Sequence, residues 1–237
     1  MNPKPVIPGV WEVPIDFVNA FLLDTGDGLV VIDTGLAGRA AGLLDAVRAI
    51  GRDPEEIRDI LVTHCHSDHA GSLAELKRLT GAPATMHPID AAMVREGRAL
   101  RPLRPAPGLV NALVCRFLLP KAPIEVEPAA IEHEAGDGEL LPCGLRAIHV
   151  PGHSAGQLAF LWPKQGGVLF AADAAANAFG LALSPLYEDV DEGRRSLARL
   201  AALEFEVACF GHGKSIRSGA SAQFRRKWPA ARDSRVA

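Results

Sequence analysis

The run Thr63-His64-Cys65-His66-Ser67-Asp68-His69 crowds five possible ligands or acid/base groups into seven positions. It stands where the apolar segment Asp59-Ile60-Leu61-Val62-Thr63 ends and a helical pattern from Ala70 to Leu79 begins. Three imidazoles and a carboxylate this close repel one another when charged and lose hydration when buried, so a partner must hold them. A divalent cation does that. His64 and His66 are two apart on an extended tip and turn to one side, with Cys65 facing the opposite way. Asp68 and His69 follow one step on, where the chain swings into the helix, and face a neighbouring point. These are two adjacent half-sites, neither complete, because zinc takes about four ligands and a catalytic zinc keeps one position for water.

The missing ligands stand further along. Pro151-Gly152-His153-Ser154-Ala155-Gly156-Gln157 sets a histidine in a glycine-flanked turn, Leu169-Phe170-Ala171-Ala172-Asp173 sets an aspartate after an apolar strand, and Phe210-Gly211-His212-Gly213 does the same with a histidine. All three are at strand ends, where distant parts of a sheet converge on one edge. On these residues, from Asp33-Thr34-Gly35 to His212, the chain resembles the metallo-β-lactamase-fold hydrolase superfamily, in its glyoxalase II and lactonase-like branch rather than among true β-lactamases. The resemblance implies that His64, His66 and His153 hold a first metal, that Asp68, His69 and His212 hold a second, and that Asp173 bridges them. It also implies the fold class: α/β, an αβ/βα four-layer sandwich of two mixed β-sheets flanked by helices, with the metals at one edge. Ala172 departs from the pattern, since many relatives have glycine before the bridging aspartate.

The bulk properties agree with such a chain. Its 237 residues are expected to form a single domain over 1–237, because metal residues spread from 64 to 212 require that stretch to fold as one unit. Hydrophobic residues make up 48%, ample for a two-sheet core, and a net charge of −3 gives no electrostatic case for nucleic acid or an anionic membrane. The expected partner is a small-molecule substrate. Cys65, Cys115, Cys143 and Cys209 show no C-x-x-C pairing, the start Met1-Asn2-Pro3-Lys4-Pro5 lacks a secretory pattern, and no apolar run nears the roughly 18 residues of a membrane span. A cytoplasmic location is expected.

Short strands are predicted over Val10 to Val13, Asn19 to Leu23 and Leu29 to Ile32, with Asp24-Thr25-Gly26-Asp27-Gly28 as a turn. Asp33 then either orients a metal ligand or satisfies nearby backbone amides. A helix follows over Ala40 to Ile50, a brief one starts at Asp53-Pro54, and strands run over Ile60 to Thr63 and Ala84 to Met86. His87 is either a donor behind a metal ligand or a substrate contact at the same edge, or else a partly buried histidine with ordinary hydrogen bonds; His133 and His149 carry weaker cases. Strands are predicted again over Ile124 to Val126, Glu139 to Leu141, Leu145 to Val150, Gln157 to Trp162, Gly167 to Phe170 and Val207 to Phe210. A helix spans Asp191 to Leu203, and an amphipathic segment runs from Ala220 to Trp228.

Residues 95–123 form an inserted segment. Arg95, Arg98, Arg101 and Arg104 recur every third position, but Pro102, Pro105 and Pro107 prevent one helix from displaying them as a stripe. The run from Leu109 to Leu119 is nearly all apolar. It reads as a helix that covers the active-site edge, walls a pocket or makes a homodimer contact, with membrane-surface docking a remoter possibility. The arginines before it are either solvated or close to an anionic end of the substrate.

The chemistry follows from two divalent cations about 3.5–4 Å apart. A bridging water can lose its proton near neutral pH, and the hydroxide attacks the carbonyl of a small ester or lactone, with Asp68 both ligating and relaying a proton. Ser67, Ser154 and Cys65 have no base-and-orienter arrangement, so no covalent nucleophile is expected. Thioester hydrolysis of the glyoxalase II kind is the alternative, although that branch carries a helical extension after its last histidine. The lactonase branch has a tyrosine where this chain has Ala176. Outside hydrolysis stand a mononuclear iron persulfide dioxygenase, in which His69 and His212 would be spectators, and a non-catalytic metal-stabilised binding protein. The ligand set accepts zinc, iron or manganese.

Overall fold

The computed structural model describes residues 1–117 and 122–229. The first half is built from β1 (Lys4–Ile7), β2 (Val10–Ile15), β3 (Val18–Asp24), β4 (Leu29–Ile32), α1 (Ala40–Ala49), β5 (Ile57–Leu61), α2 (Ser67–Ala70), α3 (Leu73–Thr80), β6 (Ala84–Met86) and α4 (Pro88–Arg95). After it come β7 (Arg104–Pro105), α5 (Leu109–Phe117) and β8 (His133–Glu134). The second half contains β9 (Arg146–His149), β10 (Leu158–Trp162), β11 (Val168–Ala172), β12 (Ala175–Ala176), β13 (Ala182–Leu183), β14 (Leu186–Tyr187), α6 (Val190–Ala201), β15 (Val207–Phe210) and α7 (Ala220–Lys227).

Two mixed sheets result. The larger has the order β1-β2-β3-β4-β5-β6-β8, antiparallel through β4 and parallel from there on; the smaller has the order β15-β11-β10-β9, with only β15 and β11 parallel. Strand side chains alternate between faces, and the core divides accordingly. Leu22, Val31 and Ile60 pack outward against Leu43 and Val47 of α1 and Leu73 and Leu76 of α3. Phe21, Leu23, Val30 and Ile32 face the other way, onto Phe160, Trp162 and Phe170 of the smaller sheet. Leu169 and Phe210 turn to that sheet's outer face, under Leu197 and Leu200 of α6 and Phe224 of α7. Three apolar layers between four structural layers give the αβ/βα sandwich that the doubled β-then-α order implies.

Several elements differ from the sequence reading. The helix expected from Ala70 to Leu79 is two, α2 and α3, broken at Gly71-Ser72. A Cβ on Gly71 would meet the Ser67 carbonyl at 2.2 Å and the Ala37 nitrogen at 2.6 Å, so the backbones approach too closely there for any side chain. The brief helix after Asp53 is one 3-10 turn, closed by the Asp53 carboxylate accepting from the Glu55 amide. The segments Ile124 to Val126 and Glu139 to Leu141 form only single bridges, Arg98 to Glu125 and Leu140 to Arg146. Edge strand β1 and helix α4 have no counterpart in the sequence reading. The apolar insertion is helical over Leu109–Phe117, with Leu109, Val110, Leu113 and Phe117 exposed; Leu118 and Leu119 lie outside the described residues. Among the described residues no helix is long and apolar enough to cross a membrane.

Parallel pairing gathers several strand ends at one edge. β4, β5, β11 and β15 all end there, and each end carries a candidate residue: Asp33, the tip after Thr63, Asp173 and His212.

Candidate metal centre

The tip after β5 leaves the sheet at Thr63 and enters α2 at Ser67, with His66 extended (φ −60°, ψ 146°) as the first residue before the helix. This turns His64 and His66 to one side and sends Cys65 to the other, where its sulfur lies among Met93 and the Ala99 carbonyl. His64 Nε2 is 3.0 Å from His66 Nδ1, and His153 Nε2 reaches the same atom at 2.9 Å. His64, His66 and His153 are all buried.

Hydrogen bonding at the far sides of these rings decides what the near sides present. His153 Nδ1 donates to the Leu186 carbonyl at 2.7 Å. Thr63 Oγ1 donates to Asp33 Oδ2 and so accepts from His64 Nδ1 at 3.0 Å. Each ring therefore aims a bare Nε2 lone pair inward. Only one proton, on His66 Nδ1, could face them, and it can satisfy one of the two. Burial first, and neighbouring imidazoles second, hold His64 well below the ordinary histidine range and push His66 down to about 3. The trio is neutral, buried and short of a positive partner, which suits a cation.

A second group adjoins it. Asp173, at the end of β11, has Oδ2 3.1 Å from His212 Nε2 and 3.5 Å from His153 Nε2, and Oδ1 3.6 Å from His69 Nε2. Asp68 Oδ2 is 3.4 Å from His212 Nε2 and 3.7 Å from His69 Nε2. His69 Nδ1 donates to Asp33 Oδ2 at 2.8 Å, and His212 Nδ1 donates to the Phe17 carbonyl at 2.9 Å. Burial disfavours the His69 imidazolium, yet Asp68, Asp173 and Asp33 outweigh it and raise that pKa to about 9. The same contest, won by Asp173 and Asp68, lifts His212 well above its usual range. Burial likewise works against ionised Asp68 and Asp173, and the two histidines overcome it to hold both carboxyls below theirs. Protons on His69 and His212 thus occupy the place a cation would take.

Orphaned atoms give the fit test for a metal. His69 Nε2 and Asp173 Oδ1 are buried without a hydrogen-bond partner and face one another across the group, and His66 Nε2 also lacks one. Ligand atoms of His64, His66 and His153, of His64, His69 and Asp173, and of Asp68, His69 and His212 each lie within 4.8 Å of one another. The donors are nitrogen and carboxylate oxygen, a set that suits zinc, iron or manganese. Space is kept by Gly211, where a Cβ would stand 2.1 Å from Asp173 Oδ1 and 2.7 Å from His69 Cε1. The side chains of Asp68 and His212 keep 20% and 23% of their exposure, so the centre opens to solvent on the side of the second group.

All seven residues picked out in the sequence, His64, His66, Asp68, His69, His153, Asp173 and His212, therefore meet at one edge. Asp33 accepts the Thr63 amide and hydroxyl and also fixes the ring of His69, one of the seven candidates. His87 and His149 lie apart from the seven and stack on each other at 4.0 Å between ring centroids, while His133 pairs with Glu139. Arg101 corrects the reading of solvated or substrate-facing arginines. It forms ion pairs with the fully buried Asp90 and with Glu188, each at 2.8 Å. Asp90 carried no signal in sequence beyond being an acidic residue just after Pro88.

Comparison with known proteins places this centre in context. The family model described as the metallo-beta-lactamase superfamily matches residues 13–212. The chain is 29% identical over 225 residues to the uncharacterized protein YobT of Bacillus subtilis, a match covering 88% of this chain and 90% of that one. It is 33% identical over 151 residues to a hydroxyacylglutathione hydrolase of Pseudomonas aeruginosa, covering 62% of this chain but only 43% of that enzyme. Among solved structures, a HARLDQ-motif mutant metallo-beta-lactamase of Cronobacter sakazakii superposes with a TM-score of 0.70 at 26% identity, over 96% of this chain and 83% of that one.

Proposed function

Because the chain belongs to the metallo-beta-lactamase superfamily, we propose that it is a dinuclear metal-dependent hydrolase of a small ester or lactone. In this reading His64, His66 and His153 would hold one divalent ion, Asp68, His69 and His212 would hold the other, and Asp173 would serve both. The observation that carries it is the pair of inward Nε2 lone pairs of His64 and His153 converging on His66 Nδ1, beside an unpartnered His69 Nε2 and Asp173 Oδ1.

Two divalent ions held by these residues would supply a water activated near neutral pH and a Lewis acid for a carbonyl oxygen. The side chains do the rest. Thr63, Leu186, Asp33 and Phe17 grip the outer nitrogens of His64, His153, His69 and His212, fixing tautomer and ring direction before substrate arrives. Asp68 is the partly exposed carboxylate of the group, so beside its ligand role it would pass a proton from the incoming water to the leaving group. Cys65 is held away from the centre, and burial pushes its thiol above the range in which a thiolate nucleophile would form.

Thioester hydrolysis is the second reading, favoured by the 33% identity to hydroxyacylglutathione hydrolase. Elemental analysis of the purified protein, with a panel of lactones, aryl esters, thioesters and a chromogenic cephalosporin, separates the possibilities. Two metal equivalents are expected, zinc first among the candidates, with ester or lactone turnover that Asp173→Ala abolishes. Full turnover in that variant, or one bound iron with oxygen uptake, would overturn the reading.

A further inference from the structure

We propose that Asp90, braced by Arg101, is a positioning residue that sets the loop of His64 and His66 against the loop of His153; the inference rests on the metal-centre reading above. Asp90 sits in the first turn of α4 and its side chain is fully buried. Its Oδ2 accepts from the Cys65 amide at 3.0 Å and from the Ser154 hydroxyl at 2.6 Å, and its Oδ1 accepts from the Gly156 amide at 3.1 Å and from Arg101 Nη2 at 2.8 Å. A carboxylate has about four lone-pair directions, so these four donors saturate it and fix its orientation. Cys65 lies between His64 and His66, and Ser154 follows His153. One carboxylate therefore bridges the chain segments that carry the three imidazoles.

Arg101 completes the brace from the inserted segment. Its Nη1 donates to Glu188 at 2.8 Å and to the Ser154 hydroxyl at 3.1 Å. Glu188 in turn accepts from the Ala155 amide at 3.2 Å, and its own amide donates to the His153 carbonyl at 3.3 Å. The loop from His153 to Gly156 is thus tied at four successive residues. Gly156 leaves no slack, since a Cβ there would stand 2.6 Å from Asp90 Oδ1. The planar guanidinium spans two carboxylates that an ammonium would reach one at a time. Separations of 2.9 and 3.0 Å among the ring nitrogens depend on how these two loops are held.

Cobalt(II) titration of the metal-free protein, followed by its visible spectrum, tests this in Arg101→Met, Asp90→Asn and Arg101→Lys. Loss of a group that orients metal ligands costs roughly 10- to 100-fold in metal affinity, and that loss is expected for Arg101→Met and Asp90→Asn, with Arg101→Lys weakened less. Arg52→Met is the control. Arg52 pairs with Asp24 and Glu56 at nearly the same side-chain exposure as Arg101, 24% against 22%, so it is expected to lower stability and leave cobalt affinity unchanged. Imidazole nitrogen–proton correlations of the metal-free protein provide a readout independent of loading. In Arg101→Met the rings of His66 and His153 are expected to shift while those of His69 and His212 stay in place. Cobalt affinity within twofold of wild type together with unmoved rings would overturn the proposal. A wild type that takes up no cobalt would overturn the metal-centre reading instead, and the ring correlations alone would then decide the role of Asp90.

Discussion

Ala172 shows how a single residue is bent to the needs of the site. It has φ 47° and is buried at the point where the pairing of β11 with β15 shifts register, so that Asp173 swings off the strand into the centre. A non-glycine residue in the left-handed region costs roughly 1–2 kcal/mol. Ala172→Gly is accordingly expected to raise unfolding stability by about 1 kcal/mol, read from the urea midpoint, without altering metal content. A lower midpoint would mean that the alanine methyl contributes more through packing than the backbone loses. Read in the sequence, Ala172 only marked a missing glycine; the structure shows that the turn is made all the same, under strain.

Elements place the candidate ligands by packing at a distance from them. Phe224 of α7 is fully buried, set edge-on to Phe205 at 5.1 Å and nearly parallel to Phe210 at 6.2 Å, and Phe210 is the last residue of β15 before Gly211-His212. Phe224→Ala is expected to cost roughly 3–5 kcal/mol by chemical denaturation, and to weaken metal binding through His212 as β15 loosens. Helix α4 acts on the opposite side through Asp90. Burial favours its protonated form, but the Ser154 hydroxyl and Arg101 outweigh this and hold the carboxyl below the usual range. A depressed carboxyl contributes stability above its unfolded pKa of about 3.9, and that contribution is lost as the pH falls through the lower, folded value. The metal-free wild type should therefore lose stability on acidification more steeply than Asp90→Asn. Urea midpoints taken from about pH 6 down to about pH 3 check this, and parallel slopes would contradict it.

At the scale of the molecule the centre joins two halves. His64, His66, Asp68 and His69 come from the larger sheet's side, and His153, Asp173 and His212 from the smaller sheet's side. Ions bound by both would cross-link the sandwich at its open edge. Two ions, each present at 100 times its dissociation constant, together add about 5.4 kcal/mol, which for a chain of this length corresponds to roughly 10–20 °C in Tm. Chelation is expected to lower Tm by that amount and zinc to restore it. Identical melting with and without chelator would mean that the folded state gains nothing from the ions.

The sequence by itself determined the seven candidate ligands, their order and the alternation of β and α elements. These reside in residue types and in periods of two and 3.6, which local geometry imposes along the chain. Only the tertiary structure decided which imidazole nitrogens face inward, which histidines are neutral and which charged, and what holds the loops in register. Those answers depend on partners far apart in sequence, as Asp90 is from both Cys65 and Ser154. Such partners carry no periodic signature, so Arg101 read as one of several arginines, either solvated or near an anionic end of the substrate, until burial against Asp90 and Glu188 gave it a different surrounding. Spacing along the chain tells what could ligate; desolvation and hydrogen bonding, which exist only after folding, settle the protonation state in which each group is held.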